Sequence, residues 1–318
     1  MPSPTLEPFQ PEHLRANLRP LAAAVRPLST EEQAYQRHYG LDLSVQRPGS
    51  HSQLGCFEQG DLCIVTQLWR PAQPRATLIM LHGYYDHMGL YRHLIDWALG
   101  MNFAVLACDL PGHGLSAGPR ASIDDFSTYQ QTLLGLLDQA SQLALPQPWH
   151  LCGQSTGGGI LVDYLLTGTP RPELGTTALL APLVRPRAWG LSQLSYYLLR
   201  PFKSAIPRRF SENSSDREFL DFIQHRDPLQ PRTLPTAWVG ALARWIPRIE
   251  RAPRSTLRPL IVQGEADMTI DWQHNLRVLQ DKFDQPTILR LPTARHHLVN
   301  ENEEIRNRYF AFLTEHFQ

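Results

Sequence analysis

The segment Gly153-Gln154-Ser155-Thr156-Gly157 lies between the apolar run Trp149-His150-Leu151-Cys152 and the stretch Gly158-Gly159-Ile160-Leu161-Val162. This is the pattern of a strand, a sharp turn and a helix, with a serine at the apex. So tight a turn strains its central residue, and small neighbours on both sides relieve the contacts that would otherwise forbid it. Held there, the Ser155 hydroxyl faces outward, and the helix behind it aims unpaired backbone N–H groups at any negative charge that develops. Chance alone supplies such a pattern in about one chain of this composition in fifteen. Its meaning therefore depends on partners elsewhere.

A serine hydroxyl is a weak nucleophile at neutral pH and needs a base, and the base needs an acid to orient it. Both types stand downstream, in the order serine, acid, histidine. After the apolar run Leu260-Ile261-Val262 come Glu265, Asp267 and Asp271. Asp267 is preferred, because Glu265 falls too early in the turn and Asp271 stands where the next helix needs an N-cap. The base is His296 or its neighbour His297; His296 is preferred, although spacing alone does not separate the two. The oxyanion would be held by the backbone N–H of Thr156 and by that of Tyr84, in the loop after Leu78-Ile79-Met80-Leu81. His82 is assigned to holding that loop, and Asp109 to Ser116, with its proline and glycines, to a rigid turn under the site.

The elements that must carry these residues alternate. Strand-like runs cover Leu62 to Trp69, Ala76 to Leu81, Phe103 to Cys108, Trp149 to Gly153, Thr176 to Leu180, Leu260 to Val262 and Thr287 to Leu291. Helical periodicity occupies Leu90 to Leu99, Phe126 to Leu143, Trp272 to Phe283 and Ile305 to Phe317. Such alternation predicts the α/β class, a mostly parallel central sheet covered by helices, with ligands bound beyond the strand C-termini. Residues 183–254 break the pattern; rich in proline and aromatics, they read as a helical insertion carrying 13 Lys or Arg against 6 Asp or Glu. The expected organisation is an N-terminal arm and helix over 1–45, a core over 46–182 and 255–318, and a cap over 183–254. Ser29-Thr30-Glu31-Glu32 predicts a capping box at the start of the arm's helix.

Lys plus Arg and Asp plus Glu balance at 30 each, and hydrophobic residues make up 42%, which gives a nucleic-acid partner little support. Cys56, Cys63, Cys108 and Cys152 lack zinc-ligand spacing and read as reduced thiols. The first forty residues hold neither a membrane span nor a signal peptide, so a cytoplasmic location, peripheral to a membrane at most, is expected.

The motifs together resemble the α/β-hydrolase superfamily, and within it serine hydrolases similar to monoacylglycerol lipases and bacterial lysophospholipases. The resemblance rests on His82-Gly83 with His87 and Tyr91, Asp109 to Ser116, Gly153 to Gly158, Gly264 with Asp267, and Ala294-Arg295-His296 with Asn300-Glu301. It covers about residues 60–317 and implies Ser155 as nucleophile, Asp267 as acid, His296 as base and a helical cap. The chain departs from the family at His297, where many relatives carry an acid, and at Thr156, where they carry a bulkier residue. The expected activity is hydrolysis of carboxylic esters of monoacyl lipids, monoacylglycerol or lysophospholipid, with no metal or organic cofactor. In the cap, Trp189, Tyr196 and Tyr197 are candidates for an acyl channel, set against the plainer reading that the apolar stripe is cap core. Arg200, Lys203, Arg208 and Arg209 suggest contact with an anionic membrane or head group. Two alternatives stand beside this: an amidase or proline iminopeptidase on the same triad, and a catalytically silent binding protein.

Overall fold

The computed structural model describes residues 9–317, so the first eight residues expected to belong to the arm lie outside the described residues. In chain order the elements are α1 (Pro11–Ala16), α2 (Thr30–Tyr39), β1 (His51–Gln59), β2 (Leu62–Arg70), β3 (Ala76–Leu81), α3 (Arg92–Gly100), β4 (Phe103–Cys108) and α4 (Ser127–Gln142). They continue with β5 (Trp149–Gln154), α5 (Thr156–Thr167), β6 (Leu174–Leu180), α6 (Trp189–Leu199), β7 (Ala205–Pro207), α7 (Arg217–Asp221), β8 (Thr233–Pro235) and α8 (Thr236–Arg251). The chain closes with β9 (Leu260–Gly264), α9 (Trp272–Lys282), β10 (Thr287–Leu291) and α10 (Glu303–His316).

Eight strands form one sheet in the order β1-β2-β4-β3-β5-β6-β9-β10. Only β1 with β2 and β2 with β4 pair antiparallel; every other pairing in it is parallel. The central strands β3, β4 and β5 are buried along their whole length. Their Ala, Val, Ile and Leu side chains have helices on both faces, so neither face needs polar residues. The C-terminal ends of β3, β5, β9 and β10 therefore open on one edge of the sheet.

β1 is a strand that apolar patterning does not announce. Ser52, Gln53, Glu58 and Gln59 would suit a loop, but Gln53 Nε2 donates to Ala24 O and Gln59 Nε2 to Thr128 O, so its polar side chains find partners off the sheet. The N-terminal arm lies along its free edge: Leu21 N–H donates to Cys56 O and Cys56 N–H to Arg19 O, both at 3.0 Å. A Cβ on Gly55 would stand 2.7 Å from Arg19 O, so only glycine lets the arm approach. The arm then turns into α2, where the Ser29 hydroxyl accepts from Glu32 N–H while Glu32 Oε2 accepts from Ser29 N–H.

Between β6 and β9 the chain leaves the sheet. This stretch is mostly helical, but Ala205, Ile206 and Pro207 pair antiparallel with Pro235, Leu234 and Thr233 in a short ribbon that its proline-rich sequence hides. The apolar stripe on α6 is not core, as the plainer expectation held: Leu191, Leu194 and Leu198 are 70%, 58% and 64% exposed, and Phe202 just beyond is 84% exposed.

Candidate active site

β5 ends at Gln154 and α5 begins at Thr156, which leaves Ser155 alone between them at φ 53° and ψ −112°. A side-chain-bearing residue at positive φ costs about 1–3 kcal/mol and persists only where its surroundings over-determine it. Here they do: Ser155 N–H donates to Leu180 O at 2.8 Å, and Ser155 O accepts from Gly159 N–H at 2.9 Å and Leu183 N–H at 3.0 Å. The flanking glycines answer to close approach. A Cβ on Gly153 would meet the Gly157 carbonyl at 2.5 Å, and one on Gly157 would meet Leu81 O at 2.3 Å.

The Ser155 hydroxyl lies 2.8 Å from His296 Nε2, and His296 Nδ1 lies 2.6 Å from Asp267 Oδ2. All three side chains are nearly buried. Asp267 is fixed on its other oxygen by Thr269 N–H at 2.8 Å and Ile270 N–H at 3.2 Å. Burial alone would push its carboxyl up, but the adjacent His296 ring and the two backbone donors outweigh burial and hold its pKa below the usual range. An ionised Asp267 requires the proton on Nδ1, which leaves Nε2 free to accept from the Ser155 hydroxyl. The arrangement can thus draw a proton from serine oxygen and return it to a leaving group.

The rejected acids have other partners. Asp271 caps α9 by accepting from His274 N–H, and Glu265 pairs with Arg290 at 2.5 Å. His297, the alternative base, turns away from Ser155 and puts its Nε2 3.0 Å from Asp86 Oδ2. Gly264 provides a gap: a Cβ there would lie 2.4 Å from both Ala294 O and Arg295 O, where the loop bearing His296 crosses.

The loop after β3 passes beside the serine, with the Cβ position of Gly83 3.3 Å from Ser155 Cβ. Gly83 N–H is taken by the Tyr91 hydroxyl, whereas the N–H groups of Tyr84 and Thr156 have no partner among the described residues. His82 holds this loop in place, its Nε2 accepting from Leu110 N–H and its Nδ1 lying 2.7 Å from Gly83 O. Asp109 clasps its own turn by accepting from Leu115 N–H and ties it to the segment after the β3 loop by accepting from Met88 N–H.

Three supporting residues carry roles that the sequence reading did not assign. Gln154 Nε2 donates to His296 O at 2.8 Å, and Gln263 Nε2 reaches Asp267 Oδ2 at 3.3 Å. Buried Glu301 accepts from Arg295 N–H and from Ser215 N–H, joining the histidine loop to the insertion. Glu301 had a signal in the Asn300-Glu301 motif; Gln154 had none, since its partner is distant in sequence, and Gln263, four residues before Asp267, ends a buried strand whose pattern does not say which way its amide turns.

A cavity of about 280 Å³ opens over Ser155. Leu183, Trp189, Leu234, Val239 and Leu242 supply an apolar wall, and Tyr85, Asp86, Arg208, Arg209, Asn213 and His297 a polar one. Of the three channel candidates Trp189 lines this cavity, but Tyr196 and Tyr197 do not. Tyr196 sits two turns further along α6, beside Ile206 and Leu234 in a neighbouring cavity, and Tyr197 faces solvent with 51% of its surface exposed. Successive helical residues point about 100° apart, so adjacent tyrosines could not both face the site.

A family model described as serine aminopeptidase, S33, matches residues 72–303. Monoglyceride lipase of Homo sapiens is 28% identical over 253 residues, covering 76% of this chain and 82% of the relative. Monoacylglycerol lipase of Mycolicibacterium smegmatis is 28% identical over 260 residues, covering 77% and 90%. Among solved structures, a soluble variant of monoglyceride lipase from Saccharomyces cerevisiae superposes with a TM-score of 0.71 at 17% identity, over 83% of this chain and 95% of that one, a likeness of fold.

Proposed function

This chain belongs to the serine aminopeptidase S33 family of α/β-hydrolases, and on that footing we propose that it is a serine hydrolase cleaving carboxylic esters of monoacyl lipids, monoacylglycerol or lysophospholipid. Ser155 Oγ attacks the ester carbonyl as His296 Nε2 takes its proton. The tetrahedral oxyanion is held by the N–H groups of Tyr84 and Thr156. His296 then protonates the leaving alcohol, and water, deprotonated by the same ring, releases the acyl group from Ser155. Asp267 keeps the ring in the required tautomer throughout.

The observation that carries the reading is the chain of contacts from Asp267 through His296 to Ser155, 2.6 Å and then 2.8 Å, at the floor of a cavity with an apolar wall. An acyl chain suits that wall, and the names of the two curated relatives agree with it. The family's description favours a second reading, aminopeptidase, which needs a carboxylate for the substrate amine. Asp86 is the one carboxylate lining the cavity among the described residues, and it already faces the Tyr91 hydroxyl and His297. Two arginines beside it disfavour an amine further.

Residues 183–254 act in this reading as a cap over a core of 46–182 and 255–318. The exposed leucines of α6, with Arg200 and Lys203 beside them, form a face suited to anionic membrane surface. No helix among the described residues is long and apolar enough to cross a membrane. A fluorophosphonate probe should label the protein and fail to label Ser155→Ala; an unlabelled wild type would remove the enzyme reading. Turnover of p-nitrophenyl esters should rise from acetate toward long chains.

A further inference from the structure

The polar side chains of the cavity over Ser155 carry positive charge that no ion pair among the described residues takes up. The Arg208 guanidinium packs 4.0 Å from the ring centre of Tyr85 and 4.3 Å from that of Phe210. Its Nη1 donates to Gln230 Oε1 at 2.6 Å and Pro231 O at 3.2 Å, both neutral acceptors. Neither Arg208 nor Arg209 has an ion-pair partner among the described residues. The nearby Asp86 carboxylate turns its Oδ2 to the Tyr91 hydroxyl at 2.9 Å and His297 at 3.0 Å and forms no ion pair with either arginine. Burial lowers the Arg208 pKa and outweighs the attraction of Tyr85, Asp86 and Tyr84.

A guanidinium has five N–H donors in a rigid fork. Two of those on Arg208 serve Gln230 and Pro231, its backbone N–H is anchored to Arg232 O at 2.9 Å, and two aromatic rings hold its plane. The edge formed by Nε and Nη2 has no partner among the described residues. That edge is the one that grips a phosphate or carboxylate through two parallel hydrogen bonds. Asn213 lines the same cavity, and its side-chain oxygen is buried without a donor. A head group bearing an oxyanion and a hydroxyl would satisfy both.

We propose that Arg208 is a specificity residue that binds an anionic oxyacid group on the alcohol side of the scissile ester, so that the chain prefers monoacyl lipids with a charged head group over neutral monoacylglycerols. This rests on the ester-hydrolase reading, but the binding itself does not require turnover. Three non-hydrolysable hexadecyl ethers therefore test it on the full chain by calorimetry: one with a phosphoglycerol head, one with a carboxylate, and neutral hexadecylglycerol. At least one charged ether should bind about tenfold or more tighter than the neutral one. Arg208→Met should lower that charged-to-neutral ratio by roughly ten- to hundredfold, and Arg208→Lys, which keeps the charge and the fold's packing more nearly intact, should recover part of it. A preference for the phosphate ether assigns lysophospholipid-type substrates, and one for the carboxylate ether assigns carboxylated esters. Equal affinity for charged and neutral ethers, or a ratio that neither variant moves, overturns the assignment. Hydrolysis of the corresponding esters separates the two levels. Correct binding without cleavage retires the hydrolase reading alone, and cleavage of charged and neutral esters at one kcat/KM retires the role of Arg208 alone.

Discussion

Replacing Asp267 by asparagine should reverse the polarity of one hydrogen bond and with it stop the reaction. Thr269 N–H and Ile270 N–H both donate to Oδ1, so the asparagine must keep its carbonyl oxygen there. Its NH2 group then occupies the position of Oδ2, 2.6 Å from His296 Nδ1. Two donors cannot share that distance, so the imidazole proton moves to Nε2. That nitrogen faces Ser155 Oγ at 2.8 Å and, once protonated, cannot accept the hydroxyl proton. The wrong tautomer in such a triad costs about 10⁴ in kcat, or about 5.4 kcal/mol of barrier. Steady-state hydrolysis of p-nitrophenyl butyrate and the rate of fluorophosphonate labelling should both show it, with an unfolding temperature close to the wild type. Asp267→Ala, which removes the anion without installing a donor, should retain at least as much activity. An Asn variant within tenfold of wild type would refute the tautomer argument.

Gly157→Ala places a methyl group 2.3 Å from Leu81 O and 2.7 Å from His82 O, backbone atoms that cannot swing aside. It should destabilise the fold by about 2–3 kcal/mol and disconnect the serine from the Tyr84 loop, read as lowered denaturation midpoint and turnover. His87 lies 2.9 Å from Asp227 in the core; burial pulls its pKa down, but the charge and hydrogen bond of Asp227 outweigh burial and raise it, while Asp227 is lowered. The pair therefore stabilises fully between about pH 4 and about pH 6.5, and the contribution of His87 fades as pH rises through its elevated pKa. The unfolding free-energy gap between wild type and His87→Gln should be larger at pH 6 than at pH 9; a gap that grows with pH would contradict the assignment. Leu198→Asp, on a side chain 64% exposed, should change stability by no more than about 0.5 kcal/mol and yet reduce co-sedimentation with anionic vesicles. Equal binding of the wild type to neutral and anionic vesicles would sink the membrane proposal.

The sheet and the meeting of Ser155, Asp267 and His296 were legible because each residue follows an apolar strand, and parallel strands deliver their C-terminal ends to one edge. Geometry then separated His296 from His297, which spacing could not, since backbone neighbours in a loop face different ways. Strand β1 was hidden because its partners are the arm, α2 and α4, so its polar residues are satisfied in three dimensions rather than patterned in one. Tyr196 and Tyr197 were misplaced for a related reason: composition marks α6 as apolar, but the phase at which a helix docks decides which of its residues look inward. Gln154 acts through a carbonyl brought near only by the finished fold, and Gln263 through a local turn whose side-chain geometry apolar patterning does not encode.

The arm that lies along β1 has a consequence for how the sheet's edge meets other chains. Two hydrogen bonds between residues 19–21 and Cys56 occupy main-chain groups that a lone outer strand would offer to any passing strand. The glycine at 55 that admits the arm would admit a foreign backbone equally well. The N-terminal segment is thus a built-in occupant of the sheet's most adhesive margin, and a version of the protein trimmed to residue 28 should stay folded around its serine while aggregating more readily than the intact chain.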